Sequence, residues 1–221
     1  MELKLTMFWK PIRVSLLALT FGGVFLVVGK SVLAPTFSQR QTTNVFEFPT
    51  DIALPGWQSL GSQPLGEPSG KNYKYQQKDL KLEIGMRYVD SSFENETLFR
   101  EYNPLVLSPG KPAPIIRQRK AMGAYTLSVD EKRAYLRACI NPYGDSAITY
   151  TQFIQNRYAA GLQFSRLLPW IMGKESLLDN RCLWAHLSLP IQNSSPEKAY
   201  QVLEDTWVLW YKAWHFRLPK Y

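Results

Sequence analysis

Two cysteines and a histidine are the residues in this chain best suited to covalent chemistry. Cys139 and Cys182 are the only cysteines, and His186 follows the second one after four positions. A thiolate next to an imidazole could form a nucleophilic site. Cys182 and His186 lie on the same face of a predicted strand, roughly 13 Å apart, which is too far for a direct hydrogen bond. The pair that stays open to thiol chemistry is therefore Cys139 with His186, reached across neighbouring strands.

The competing interpretation of the two cysteines is a structural disulfide. A Cys139–Cys182 bridge closes a loop of roughly 44 residues and stabilises the fold by about 4 kcal/mol in the chain-entropy picture. An oxidising compartment makes this the expected state, with two buried free thiols as the alternative. Because the bridge holds Cys139 near position 182, the disulfide and the thiol–imidazole pair exclude each other.

Other motifs with a defined chemistry are missing from the sequence. It has no glycine-rich phosphate loop, no G-x-S-x-G and no Cys2His2 spacing. We therefore predict no metal site, no small-molecule cofactor and no catalytic motif. His215, near the end of a tryptophan-rich segment, is expected to interact with a helix terminus.

The positive charge of the chain is concentrated at its N-terminus. The chain has 26 basic and 18 acidic residues, and residues 1–40 hold five of the basic and one of the acidic ones. The first forty residues and the remainder thus each carry +4. A nucleic-acid binder would cluster Lys and Arg on one folded face. The distribution instead fits a protein near an anionic membrane surface.

An apolar run near the N-terminus predicts a membrane anchor. Residues 14–29 carry no charge, and residues 14–34 form a helix of about 31 Å, enough to cross a hydrocarbon core of about 30 Å. Lys4, Lys10 and Arg13 precede the run, which places the N-terminus in the cytoplasm. A cleaved signal peptide and a buried soluble helix are the alternatives. Pro35, directly after a small-x-small sequence, disfavours cleavage.

The remaining residues predict an α+β domain. Strict alternation from residue 71 to 87 and from 124 to 140 indicates two hairpins, and residues 183–189 return to the strand period. Thr149 with Gln152 forms a capping box for a helix ending near Leu168, and Ser195 with Pro196 opens a last helix. We expect an antiparallel sheet of about five strands with two long helices covering one face. The predicted division is an anchor and tether over 1–40 and an extracytoplasmic domain over 41–221.

Several stretches, in their order and spacing, carry a family resemblance. They are F-P-x-x-I-x-L-P-G-W at 48–57, I-G-M-R-Y at 84–88, C-I-N-P-Y-G at 139–144, R-L-L-P-W-I-M-G at 166–173 and D-N-R-C-L-W-A-H-L-S-L-P at 179–190. Together they resemble the cyanoexosortase A system-associated proteins. The resemblance implies a cyanobacterial inner-membrane protein that accompanies an exosortase, a multi-pass protease/transpeptidase acting on exported proteins. It implies no catalytic residues in this chain.

Three hypotheses for function follow. The first is a non-catalytic, single-pass accessory protein that contacts the exosortase-type protease or its exported substrates. The second is an extracytoplasmic thiol enzyme or redox protein using Cys139 with His186, and the third is a structural envelope protein. The polar residues flanking the cysteines are the candidates for a partner surface: Asn141, Arg157, Arg181 and His186.

Overall fold

The structure, a computed structural model, describes residues 5–33, 46–66, 69–90, 95–103, 112–142, 145–172, 178–191, 195–215 and 217. The chain divides into two units, Met1–Val45 and Phe46–Tyr221. The first unit contains helix α1 (Leu5–Leu33). Of the helices in the described parts of the chain, none is both long enough and apolar enough to cross a membrane. The membrane assignment of residues 14–34 stays a prediction.

The second unit is built on one antiparallel sheet. Its strands are β1 (Gln58–Leu65), β2 (Gly70–Gln77), β3 (Leu80–Asp90), β4 (Ile115–Arg119), β5 (Gly123–Asp130), β6 (Arg133–Ile140) and β7 (Arg181–Pro190). Its helices are α2 (Asn95–Tyr102), α3 (Tyr150–Gly161), α4 (Phe164–Ile171) and α5 (Pro196–His215). The sheet has seven strands in the order β1-β2-β3-β7-β6-β5-β4. The α+β class is therefore confirmed.

Both predicted hairpins are present. β2 pairs with β3, and β5 pairs with β6, each through a two-residue turn. Glu131 and Lys132 in the second turn have φ angles of 45° and 63°. Positive φ at both central residues is the geometry whose twist matches that of two antiparallel strands. β7 lies between the hairpins and joins them into one sheet.

The expected number of about five strands is wrong, because both edge strands escaped detection. β1 contains Gly61 and Pro64 and is largely exposed along its length. β4 occupies the end of a proline-rich stretch, and Ile115 and Ile116 are exposed in it. An edge strand buries little and pairs on one side only, so it does not need the apolar alternation that reveals a central strand.

The main core lies between one face of the sheet and α5. An aromatic stripe of α5 is fully buried and consists of Trp207, Trp210 and Trp214. Trp210 makes edge contacts with Tyr73 and Tyr75 on β2, at centroid distances of 5.3 and 6.0 Å. Aromatic pairs in this geometry add to the free energy gained from burial. The three-to-four-residue spacing of the stripe thus orients α5 on the sheet.

The segment before β1 covers the same face beside α5. The hydroxyl of Tyr73 donates to the Pro49 carbonyl at 2.9 Å, and the hydroxyl of Tyr75 donates to the Ile52 carbonyl at 2.8 Å. Ile52 itself is buried in the core. Burial, as the largest cause, raises the pKa of both tyrosines, so both stay protonated donors at neutral pH.

The expectation of two long helices on one face is wrong. α5 alone is the long helix of that face, and the shorter α2 and α3 cover one end of the opposite face. A smaller apolar cluster there contains Phe99 from α2, Phe153 from α3 and Trp184 from β7. Because apolar side chains emerge on both faces at this end of the sheet, helices are needed on both.

The helix predicted to run to Leu168 consists of two helices. Thr149 caps α3 as expected, and its hydroxyl accepts a hydrogen bond from the Gln152 N–H at 3.2 Å. The chain leaves helical geometry at Leu162 and Gln163, after which α4 begins. Pro169 lies inside α4 and does not end it. The expected limit at Leu168 is therefore also wrong.

Candidate functional site

A row of polar side chains crosses the sheet on the face opposite α5. In this row Gly85 on β3 pairs with His186 on β7, His186 pairs with Arg137 on β6, and Arg137 pairs with Thr126 on β5. Side chains of directly opposed residues point to the same face. We call this surface the arginine face and define it by its charged and aromatic members: Arg87, Arg133, Tyr135, Arg137 and His186.

The arginines of this face are held by short contacts within the sheet. Nη1 of Arg137 donates to Oγ of Ser128 at 2.8 Å, and the guanidinium lies 4.8 Å from the centre of the Tyr135 ring. Nη2 of Arg133 donates to Oγ of Ser188 at 2.8 Å and lies 3.3 Å from a carboxylate oxygen of Glu83. The two guanidinium groups thus extend to opposite sides of β6, that of Arg137 toward β5 and that of Arg133 toward β7 and β3.

Arg137 differs from Arg133 in the charge of its partners. Its hydrogen-bond partner Ser128 and its ring partner Tyr135 are both neutral. Burial lowers the pKa of the Arg137 guanidinium, against the opposing effects of Tyr135 and Asp130. A carboxylate or phosphate that approaches a half-buried cation with neutral partners stabilises its charge through charge-assisted hydrogen bonds. This makes Arg137 the residue of the arginine face best placed to bind an anion.

His186 lies in the middle of this face and keeps an exposed edge. Its ring is 5.2 Å from the ring of Tyr135. Desolvation of the imidazole by the surrounding atoms is the largest cause that lowers the pKa of His186 below its ordinary value, and the positive charges of Arg137, Arg133 and Arg87 lower it further. The residue nevertheless keeps an edge that is accessible to solvent. The imidazole is therefore neutral at physiological pH and can accept a hydrogen bond. The expectation of a partner-surface role for His186 stays a prediction.

Cys139 and Cys182 form a disulfide between the two central strands β6 and β7, with their Cα atoms 5.6 Å apart. Both residues are buried under α2 and α3. Cys139 lies opposite Trp184 in the strand register, whereas His186 lies opposite Arg137. The structure therefore pairs Cys139 with Cys182 and not with His186. The Oδ1 atom of Asn141 is 3.4 Å from Sγ of Cys139, which is a contact rather than a hydrogen bond because a disulfide carries no proton.

Three of the four predicted partner residues come together around Asp179, just before β7. The Nε of Arg181 donates to Oδ1 of Asp179 at 2.8 Å, and Nη2 contacts Oδ2. Arg157 on α3 donates to the side chain of Asn180. A small pocket here is lined by Asn141, Pro142, Asn156, Arg157, Ala160, Arg166 and Asp179. We call Asp179, Asn180, Arg181 and the residues that line this pocket the Asp179 cluster. His186 is not part of it.

The ion pair inside the Asp179 cluster is mostly buried. Burial acts against the charge of Arg181, but the hydrogen bonds and charge of Asp179 outweigh it and raise the pKa of Arg181. Asn141 is also buried, and its Nδ2 donates to the carbonyl of Asp145 at 3.0 Å. Asn141 thus fixes Asp145 after β6, and Arg181 fixes Asp179 before β7. Their geometry supports a structural role, while Arg157 is only half-buried.

A metal site is not apparent in the parts of the chain that the structure describes, where no group of three His, Cys, Asp or Glu side chains could hold an ion. No family model, no curated protein and no solved structure matches the chain.

The sequence identified part of this geometry. The two-residue period predicted for β6 is the reason why Tyr135, Arg137 and Cys139 share one face. The proximity of Arg166 and Asp179 was missed, because one residue lies on α4 and the other precedes β7. The two residues belong to different segments of the chain, so no local pattern signals their proximity.

Proposed function

We propose that this chain is a single-pass, membrane-anchored accessory protein of an exosortase-type protein sorting and export system, and that it catalyses no reaction. In this proposal α1 anchors the chain in the inner (plasma) membrane with its N-terminus in the cytoplasm. Residues 46–221 then lie on the extracytoplasmic side. The family resemblance of the sequence stretches supports the choice of system.

The observation that carries the proposal is the buried disulfide. Cys139 and Cys182 join the central strands β6 and β7 beneath α2 and α3. Structural disulfides persist in secreted and periplasmic proteins and are rare in the cytosol. An extracytoplasmic location of the second unit is the arrangement that a signal-anchor would produce.

The exposed apolar side chains of α1 support the anchor. Among its described residues, Leu19, Phe25 and Leu26 are all more than 70% exposed. A soluble protein rarely leaves a contiguous apolar surface open to water. Lipid is the cover that fits a charge-free run of residues flanked by cationic ones.

The alternative is a thiol enzyme or redox protein that uses Cys139 with His186. It requires the disulfide to be reduced and the register of β6 and β7 to change, because His186 lies opposite Arg137. Thiol–disulfide exchange also requires an attacking thiolate to reach a sulfur. Both cysteines are buried, so this route is closed in the folded protein.

The arginine face is the partner surface that we propose. It presents positive charge around the exposed His186, and it lies on the side of the sheet away from α5. Its chemistry matches a carboxylate-bearing segment of the exosortase-type protease or of an exported substrate. Arg137 would bind the carboxylate, and the neutral His186 would accept a hydrogen bond beside it.

Site-specific photo-crosslinking in native membranes tests this function. A photo-reactive amino acid in place of His186 is expected to yield an adduct containing the exosortase-type protease or one of its substrates, identified by mass spectrometry. The same amino acid in place of Lys212, an exposed residue of α5, is the matched control and is expected to yield neither. Equal adducts at both positions, or neither protein at position 186, would contradict the proposal.

A further inference from the structure

The short helix α4 presents its apolar side chains to solvent. Phe164, Leu168 and Met172 follow one another at four-residue spacing, which places them on one side of the helix. Leu162 and Trp170 extend the exposed apolar surface. We call these five residues the apolar ridge.

The burial pattern of α4 is the reverse of that expected for a surface helix. Phe164 is 85% exposed and Leu168 is 60% exposed, whereas Arg166 between them is only 8% exposed. A surface helix of a soluble protein turns its apolar side inward and its charges outward. The orientation of α4 therefore leaves a contiguous apolar surface that needs cover from outside the described chain.

Positive charge lies on α4 itself, where Arg166 is on the side opposite the ridge, and on α3. The pocket of the Asp179 cluster is lined by Arg157 and Arg166, with Asp179 as the carboxylate among its described lining residues. Arg157 also lies 5.4 Å from the ring centre of Tyr158, which is exposed. Exposed Phe, Leu and Trp side chains on one side of a helix, with arginine on its other side, are the composition of helices that lie in the interface of an anionic bilayer. The aromatic ring of Trp170 suits the same depth, since tryptophan is enriched at membrane–water interfaces.

The length of the chain between α1 and the second unit supports an anionic bilayer as the surface that covers the ridge. Twelve residues, 34–45, separate the end of α1 from the start of that unit. A chain of this length reaches at most roughly 45 Å. An anchored protein would therefore meet the bilayer at high local concentration, and a weak surface interaction would suffice.

We propose that the apolar ridge of α4 docks on the surface of an anionic bilayer, with its aromatic and aliphatic side chains in the interface and Arg157 near the lipid phosphates. This inference rests on the proposed membrane anchoring, which brings the second unit to the bilayer. It adds a second membrane contact, distinct from α1. In this arrangement α4 orients the second unit relative to the membrane.

Two tryptophan substitutions at exposed leucines test the inference in the full chain. Leu168→Trp adds a fluorophore on the ridge, and Leu60→Trp adds one at a comparably exposed position on β1. Both proteins are reconstituted in phosphatidylcholine–phosphatidylglycerol vesicles, with acyl chains brominated near the headgroup as the quencher. The fluorescence added by Leu168→Trp is expected to be quenched by brominated lipid and not by aqueous iodide. The fluorescence added by Leu60→Trp is expected to be quenched by iodide and not by brominated lipid. Equal lipid quenching of the two added fluorophores would overturn the proposal.

Additional experiments distinguish a failure of the proposed anchoring from a failure of the docking of α4. Carbonate extraction of the same vesicles tests the anchor alone. A chain that is extracted contradicts the proposed anchoring, whereas a retained chain with unquenched Leu168→Trp contradicts only the docking of α4. Vesicles of phosphatidylcholine alone are expected to quench Leu168→Trp less, and equal quenching would overturn the role of Arg157. Protection of Leu168→Trp from iodide only in the presence of native membrane proteins would show that the ridge binds protein instead of lipid.

Discussion

Two glycines with positive φ angles place different demands on the backbone. Gly123 begins β5 at φ +87°, and Gly61 lies in the edge strand β1 at φ +95°. A Cβ atom at Gly123 would lie 2.4 Å from the backbone N and O of Ser146, whereas one at Gly61 would meet nothing within 4 Å. The close approach at Gly123 allows the backbone of Ser146 to pair with that of β5.

The two glycines therefore form a matched pair for mutation. Each change to alanine carries the cost of a left-handed backbone, about 1–2 kcal/mol. Gly123→Ala adds a clash with backbone atoms and is expected to lower the free energy of unfolding by a further ~1–3 kcal/mol. Urea unfolding of both variants measures the difference. Equal losses would show that the contact between Gly123 and Ser146 is not tight.

Arg137 and Arg181 illustrate two ways of holding a buried guanidinium. Arg181 is paired with the carboxylate of Asp179, so its charge is compensated. Arg137 has the neutral partners Ser128 and Tyr135. A partly desolvated cation whose hydrogen-bond partner is neutral is costly. This contrast singles out Arg137, rather than Arg181, as the arginine that an external carboxylate would stabilise.

At the scale of elements, the disulfide stabilises the contact between β6 and β7. The strands are neighbours in the sheet, and the bridge lies where α2 and α3 cover them. A sequence separation of 43 residues includes α3 and α4, so the bridge also restricts where these helices can lie. The disulfide is thus a constraint on the whole segment from β6 to β7.

Removing the disulfide distinguishes an accessory role from a thiol enzyme. The variant Cys139→Ala/Cys182→Ala is expected to lose about 4 kcal/mol of stability in the chain-entropy picture, and its level in the membrane should fall together with sorting activity. The checks are denaturant unfolding, immunoblotting and a sorting assay. Cys182→Ala alone, which leaves Cys139 free, is the control. Normal protein level with lost sorting in the double variant would instead favour thiol chemistry.

At the scale of the whole molecule, the two faces of the sheet differ in how they are covered. One face is closed by α5 and the segment before β1, and it holds the larger core. The other face is covered at the disulfide end and carries the arginine face along β3, β7 and β6. A protein with this division can be stabilised on one side and interact on the other.

The proposed topology predicts the outcome of a protease-protection assay. Protease added to spheroplasts is expected to digest residues 46–221, because they lie on the extracytoplasmic side. In inverted membrane vesicles the same residues should be protected until detergent is added. A cytoplasmic loop of another membrane protein serves as the opposite control. Digestion of this unit in inverted vesicles but not in spheroplasts would reverse the orientation that Lys4, Lys10 and Arg13 predict.

The sequence by itself determined the central elements of the second unit. Alternating residues defined the hairpins β2–β3 and β5–β6, and the tryptophan spacing defined the buried side of α5. These signals are local, because the pleat and the helical turn repeat every two and every three to four residues. The pairing of Cys139 with Cys182 was also among the alternatives, because only two cysteines are present.

Only the tertiary structure decided which surfaces meet. β1 and β4 were missed because edge strands have weak alternation, and α2 and α3 lie on a face that no local pattern specifies. The register of β6 against β7 placed His186 opposite Arg137 and away from the disulfide. The buried Arg166 of α4 lines one pocket with Asp179, whereas Phe164 and Leu168 are exposed. These features depend on contacts between residues distant in sequence, which periodicity along the chain does not encode.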